Sequence, residues 1–579
     1  MQLTTLDWSI IAAFFIVSLI VGIVVSRKAG SSSAEFFLSG RNMPWWLLGI
    51  SMVATTFSAD TPNLVTDIVR KNGVSGNWVW WAFLLTGMLT VFVYAKLWRR
   101  SGVLTDLEFY EIRYGGKSAA FLRGFRAIYL GVFFNVMIMA TVCLAAIKIG
   151  GVMLGLTPIQ TLTIASIVTV LYSSLGGLRG VLITDFFQFI LAMIGTVWAA
   201  NILLDLPQVG GLENLLANQE VASLTNFLPD FSDTESLIPL LIIPLAVQWW
   251  SVWYPGSEPG GGGYIAQRML AAKDEQNAMG ATLLFNISHY ALRPWPWIII
   301  ALCSVVVFPN LDSIQEAFPH IDSSIINDDL AYPAMLTFLP AGLLGLVIAS
   351  LVAAFMSTIS THLNWGSSYV VNDFYQRFVK SDANEKELVM VGRVSTLVLM
   401  ICAALFALVL SNALQAFGIL LQIGAGTGLI FILRWFWWRI NAWTEISGMV
   451  ISFIVAIVLE VIAPDLVPAN YKLVVGVAIT TVGWLTVTFL TQPESEETLK
   501  AFAKHVNPTV GWKQYRSTEV ASVGNLPLQI LGMFLGVTAV YTALFATGSL
   551  IYGNLMLGFV LAGVSAVSIV SLATIWRKF

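Results

Sequence analysis

The chain has 579 residues, 57% of them hydrophobic and only 11% charged, with a mean hydropathy of +0.79 and a formal net charge of -3. Soluble domains carry about 25% charged residues. This composition therefore belongs to a polytopic membrane protein, and it offers no basic surface for nucleic acid and no polybasic tail. Three cysteines, Cys143, Cys303 and Cys402, all lie in apolar runs, with neither a disulfide framework nor metal-ligand spacing.

A bilayer span needs about 20 apolar residues. Candidate spans start near residues 6, 45, 78, 124, 158, 181, 237, 280, 333, 388, 412, 442, 470, 527 and 553, about 15 transmembrane helices in an all-α chain. The first has no basic residues before it, and Arg27 and Lys28 follow it. That predicts an N-terminus outside the membrane and argues against a cleaved leader. With this orientation Arg99, Arg100, Arg123, Arg179, Arg268, Arg434 and Lys500 fall on inner loops. The long outer loops 205–236 and 310–332 hold acids but no Lys or Arg. The C-terminus is then cytoplasmic. The inner loop at 492–526 reads as a solvated connector.

Two spans are interrupted. The second reads MVATTFSADTPNLV over 52–65. The seventh passes from LIPLLIIPLAVQWWSV into WYPGSEPGGGGYIAQR, ending at Arg268. Five spans separate one from the other, so two halves of opposite topology are expected. Paired broken helices in corresponding positions point to a transporter's binding site near the bilayer midplane.

Between them, YSSLGGLRGVLITDFFQ (172–188) predicts a tight glycine turn with Asp185 one turn into the next span. An ionisable group inside a span costs about 2.5–3.5 kcal/mol, which makes it a functional candidate by default; the alternative is an interfacial Asp bonded to a neighbouring hydroxyl. The ninth span places Ser357, Ser360, Thr361 and Asn364 on one helical stripe, with Thr358 beside it. Such a stripe is either helix–helix glue or a row of hard, neutral oxygen ligands for a small monovalent cation.

Four stretches carry a family resemblance: SGRNMPWWLLGISMVATTFSAD (39–60), GGLRGVLITDFFQ, AQRMLAAKDEQNA (266–278) and AAFMSTISTHLNWGSSYVVNDFY. From about residue 6 to 465 the chain resembles the sodium:solute symporters, the family of bacterial sodium–sugar, sodium–proline and sodium–sialate cotransporters. The resemblance implies an inverted five-plus-five helix repeat of LeuT type, built from spans two to eleven. It divides the chain into a leading helix and inner loop (1–44), a first repeat (45–205), an outer loop with the second repeat (206–440) and additional C-terminal helices (441–579). It also implies a sodium ion held by the carbonyls of Ala54, Phe57 and Ala354 and the hydroxyls of Ser357 and Thr358. Asp185 then matches an acidic residue near the inner sodium exit, and the home is a bacterial inner membrane.

Substrate residues carry over less well. Trp253 and Tyr254 are the nearest match to an inner-gate motif, and His289 falls near a seventh-helix lysine. The tryptophans of NWVWWAF (77–83) stand where sugar carriers have a glutamate, and the PGSEPGGGG insert departs from the pattern. From the residues themselves, the cavity is expected to hold Asp60, Thr61, Trp78, Trp253, Tyr254, Glu258, His289 and Arg293. Aromatic faces cover C–H groups and carboxylates accept O–H donors, which favours a sugar or polyol as the small-molecule partner. Arg293 keeps an amino acid or carboxylate open, unless it simply pairs with Glu258 or Asp60. The competing classes are a membrane enzyme and a solute sensor that moves nothing. The enzyme would need a loop cluster of carboxylates or histidines, and the acidic run at 327–329 reads as solvated.

Overall fold

The computed structural model describes residues 3–29, 32–251, 258–410, 421–424, 426–508, 510–516 and 525–579. Among them there is no β-strand; one parallel backbone bridge joins Met43 to Ala272. In a bilayer every backbone N–H and C=O must bond within its own segment, and a helix achieves this.

Helix α1 spans Thr5–Ala29, α2 Trp45–Thr56, α3 Thr61–Asn72, α4 Val74–Ser101, α5 Gly116–Leu154 and α6 Pro158–Leu204. After a long loop come α7 Thr234–Ala246, α8 Gly263–Ala271, α9 Glu275–Val307, α10 Leu343–Val379 and α11 Glu385–Ala407. The rest of the chain forms α12 Gly428–Leu433, α13 Ala442–Ile462, α14 Ala469–Leu490, α15 Glu496–Val506, α16 Leu526–Ile551 and α17 Leu555–Lys578. Among the described residues ten segments are long and apolar enough to cross a membrane, and Thr5–Ser18, Trp45–Thr56, Pro158–Leu171 and Thr234–Ala246 are shorter apolar stretches. The span expected from about 412 lies mostly outside the described residues.

The interruptions have local causes. Gly177, at φ +53°, bends α6 where the glycine turn was expected. Pro294 and Pro296 lack the N–H donors that a regular helix needs, and the turn before them in α9, Ser288–Leu292, is a wide π-helical one. The ninth span starts at Leu343, later than expected, because Pro340 and Gly342 (φ +85°) stop the short helix Ala331–Leu336.

Helix α10 is the centre of the bundle. It crosses α6 and touches α1, α2, α5 and α11, and its apolar window is 89% enclosed, against 22% for α17. Helix α2 packs on the first half of α9 and α3 on the second half. Asp7 ties α1 to the start of α10 by accepting the N–H groups of Gly342 and Gly345 at 2.7 and 2.8 Å. A Cβ at Gly345 would stand 2.5 Å from the Asp7 Cα, so only glycine permits this approach.

The described part of the 492–526 loop, residues 492–508 and 510–516, is not a solvated connector. Helix α15 buries Leu499, Phe502, Ala503 and Val506, and Trp512 is fully enclosed and donates to Trp435 O at 2.7 Å. Arg100 holds the end of this helix through Val506 O at 3.1 Å.

Candidate ion and solute site

The second span breaks where α2 ends. The Phe57 N–H is shared between Val53 O at 2.9 Å and Ala54 O at 3.1 Å, and Phe57 leaves the helical region at φ −90°, ψ 71°. Helix α3 resumes at Thr61, with Pro62 in its first turn, where no intrahelical donor is lost. Thr61 Oγ1 holds the gap, donating to Thr56 O and accepting from the Ser58 N–H, both at 3.2 Å.

Helix α10 sets its hydroxyl stripe against this break. Thr358 Oγ1 donates to Thr55 O at 2.8 Å, and the Thr55 and Thr361 hydroxyls meet at 3.0 Å. Ser357 Oγ donates to Asp185 Oδ1 at 2.7 Å, while Ser51 donates to Asp185 Oδ2 at 2.5 Å. Each of Ser357 and Thr358 has directed its single proton to another acceptor, so its oxygen keeps lone pairs for a cation. Ala354 stands one turn before Thr358 on the same helix, and Ala54 and Phe57 end the facing one.

Asp185 is fully buried and accepts hydrogen bonds from two hydroxyls on other helices. Arg268 of α8 comes within 4.0 Å of it. That guanidinium, expected on an inner loop, is completely enclosed. It donates to Thr361 at 2.8 Å, Ser51 at 3.2 Å and Gln267 at 2.9 Å. Four helices, α2, α6, α8 and α10, thus share one polar junction beside the break.

The expected solute residues divide into two groups. At the break, Thr56 Oγ1 meets His289 Nδ1 at 3.1 Å, and Arg293 reaches Thr56 Oγ1 at 3.3 Å and a ring nitrogen of His289 at 2.6 Å. Trp80 stands edge-on to His289, and Arg293 lies over the Trp297 ring at 5.3 Å. Asp60 begins α3 here without capping it, and no ion pair joins it to Arg293 among the described residues. Trp78 turns away: its Nε1 donates to Phe227 O at 2.9 Å and its ring packs on Tyr541. Trp253 and Tyr254 lie outside the described residues.

Glu258 does not join Arg293. It pairs with Arg126 of α5 at 3.5 Å, next to Glu445, which lies 3.7 Å from Arg126 and 3.5 Å from Arg434. Tyr114 donates to Glu445 at 2.7 Å, and Tyr369 donates to Asp106 close by. A cleft of about 440 Å³, open space included, runs past Arg126, Glu258, Thr427 and Phe431. The glycines after Glu258 fit this packing. Gly260 and Gly261 have φ of +83° and +88°, Gly260 O accepts from Trp98 Nε1 at 2.7 Å, and a side chain on Gly262 would displace the Glu258 carboxylate.

The acidic run 327–329 is likewise not merely solvated, since Asp328 meets Arg70 at 2.8 Å and Asp329 meets Lys148 at 2.7 Å. The sequence reading missed Ser51, Arg268 and these pairs. Ser51 and Thr55, four apart in GISMVATT, carried a signal, as did Arg268 between Ile265, Ala266, Met269 and Leu270. The pairing of Arg126 with Glu445 had none.

The model of the sodium:solute symporter family matches residues 36–452. The sodium/glucose cotransporter of Vibrio parahaemolyticus is 26% identical over 481 residues, covering 79% of this chain and 86% of that protein. The sodium/mannose cotransporter of Bos taurus is 27% identical, covering 80% of each, and the human sodium/myo-inositol cotransporter 2 is 27% identical, covering 88% and 80%. The fold is that of a substrate-bound, outward-open sodium-coupled sialic acid symporter, with a TM-score of 0.65 at 20% identity over 85% of this chain and 100% of the other. The chain is a multi-pass membrane transporter that couples solute movement to sodium, not an enzyme, and it belongs to the sodium:solute symporter family.

Proposed function

We propose that this symporter takes up a sugar or polyol together with sodium by alternating access. The core would be an inverted five-plus-five repeat, the whole chain would cross the membrane fifteen times, and the C-terminus would be cytoplasmic. The observation that carries the reading is the junction of α2 and α10, where Ser357 donates a hydrogen bond to Asp185 and Thr358 one to Thr55 O beside the helix break, so that both hydroxyl oxygens keep lone pairs. Sodium would be bound by these two oxygens and the carbonyls of Ala54, Phe57 and Ala354. On its way inward it would pass Asp185, once Arg268 moves aside. The solute would sit beside the break, against Asp60, Thr61, His289 and Trp80. The relatives named for glucose, mannose and myo-inositol favour a polyhydroxylated ring. Sodium binding orders the broken span and prepares the solute site, and the bundle then rocks inward. A membrane potential of 100 mV supplies about 2.3 kcal/mol per charge, roughly fifty-fold accumulation at about 1.4 kcal/mol per tenfold.

A second reading keeps a carboxylate or amino acid as solute. It rests on Arg293, which is buried, has no ion-pair partner among the described residues and leaves Nε without a hydrogen bond. One experiment addresses ion and solute together: uptake of sugars, polyols, amino acids and carboxylates into proteoliposomes, with sodium or choline outside. Sodium-dependent uptake of a sugar or polyol is expected. In the Ser357→Ala, Thr358→Ala double variant, sodium activation should fall at least tenfold. Unchanged activation would reject the ion site, and transport of carboxylates alone would reject the sugar reading.

A further inference from the structure

Ala59, in the break, also lines a second cavity of different chemistry. It has about 670 Å³ of empty space, open side included. Its walls come from five places: Phe15 of α1, Ala59 in the break, Met153 of α5, Ile164 of α6, and Leu351 and Phe355 of α10. None of its lining residues is charged. Thr161 is the one lining residue with a polar side chain; it is buried, and its Oγ1 has no hydrogen-bond partner among the described residues. A water molecule needs two to four polar partners, and an apolar cavity without them stays dry. Neither water nor a polyol suits these walls.

The cavity opens toward the outer face of α6. Ile159, Ile164, Ile167 and Leu171 there are 67, 52, 55 and 55% exposed, the surface that a membrane transporter turns to lipid. The cavity is continuous with this surface, and what the bilayer supplies at that depth is linear hydrocarbon. Part of its wall is the π-helical turn Gly150–Leu154 at the end of α5, an irregularity of the kind found at functional sites. We propose that the cavity is a lateral binding site for one acyl chain of a bilayer lipid. The chain lies against Ala59 on one side and against Phe355 and Met356 on the other. Those α10 residues directly precede Ser357, so the occupant touches both α10 and the break beside the ion junction.

The test is photolabelling in nanodiscs with a phosphatidylcholine carrying a diazirine midway along one acyl chain, with adducts mapped by peptide mass spectrometry. Labelling of peptides covering 146–168 and 348–356 should exceed that at Val567 and Val570 on lipid-facing α17 several-fold. Ala165→Phe, which fills the cavity, should reduce the first signal several-fold and leave the α17 signal unchanged. Ile164→Ala, which widens the opening, should retain it. Cavity labelling no greater than on α17, or insensitive to Ala165→Phe, would overturn the proposal. The wild-type ratio alone decides if the filled variant does not fold.

Discussion

The two ends of the helix core are closed by different electrostatics. Arg126 and Lys148 are 22 residues apart on α5, which is about 33 Å at 1.5 Å per residue. At the Lys148 end, Lys148–Asp329 and Arg70–Asp328 are short, at 2.7 and 2.8 Å, and their carboxylates are 20 and 19% exposed. Arg70 also donates to Ser304 O and Phe308 O, so its charge has several acceptors. At the Arg126 end, the side chains of Arg126, Glu258, Glu445 and Arg434 are at most 3% exposed, yet their contacts are 3.5 to 3.7 Å. Glu258 Oε2, Glu445 Oε2 and Arg126 Nε have no hydrogen-bond partner among the described residues. At the Lys148 end the cations are buried but water reaches both carboxylates, so each short pair is only partly desolvated. At the Arg126 end the ion pairs are long and the groups have given up their water, keeping short bonds only to tyrosines, Tyr114 to Glu445 at 2.7 Å and Arg434 to Tyr110 at 2.9 Å. In the proposed alternating access its groups would recover hydration when that end opens, which would offset part of the work of separating them. The Lys148 end is therefore a set of independent ties, and the Arg126 end is one coupled unit.

Glu445→Ala should have the largest effect, because it leaves Arg434 without a carboxylate and Arg126 with Glu258 alone. A loss of about 3–5 kcal/mol is expected, read from thermal unfolding in detergent. Asp328→Asn should cost less, about 1–3 kcal/mol, since the buried Arg70 loses its carboxylate but keeps its carbonyl acceptors. If the two variants lose equal stability, the contrast between the ends is wrong. Next in size, Glu258→Gln and Arg126→Gln should be non-additive by about 0.5–3 kcal/mol. Glu258 pairs with Arg126, away from Arg293, so Glu258→Gln should alter transport rate more than solute affinity. A selective loss of solute affinity would return Glu258 to the solute site.

Most helices were legible because a bilayer demands long apolar runs, and Gly177 and Thr61–Pro62 mark their bends in the sequence itself. The hydroxyl stripe of α10 was legible because helical spacing alone puts Ser357, Ser360 and Thr361 together. Its partner Asp185 was legible as a charge in an apolar run. What stayed hidden was pairing across helices. Nothing local tells Glu258 to choose Arg126 over Arg293, because both are arginines on other spans and only the path of the chain brings one near. Position counting also placed Arg268 in a loop, whereas packing of α8 against α2 and α10 encloses it. The amphipathic pattern of α15 was readable at three- and four-residue spacing, but its polar composition suggested solvent until Trp512 and Trp435 showed what it covers.

The smallest effect tests where the dry unit stops. Glu111 lies outside the spans, between Arg123 at 2.6 Å and Arg377 at 2.9 Å, and is 22% exposed. Burial raises the pKa of its carboxyl, but the bonds and charges of Arg377 and Arg123 outweigh burial and hold it below the ordinary value of 4.5. The folded value lies below the unfolded one, so this contribution is complete above about pH 4.5 and disappears as pH falls through the lowered folded value. Stability should thus be unaffected by Glu111 between pH 7 and 5 and should decline in more acidic buffer. Glu111→Gln should change stability at pH 7 by at most about 1 kcal/mol and flatten part of the acid decline. The comparison is unfolding midpoints of wild type and variant from pH 7 to pH 3.5. A loss at pH 7 as large as that of Glu445→Ala would mean that Glu111 belongs to the coupled unit, and that water is excluded further toward the membrane surface than its exposure indicates.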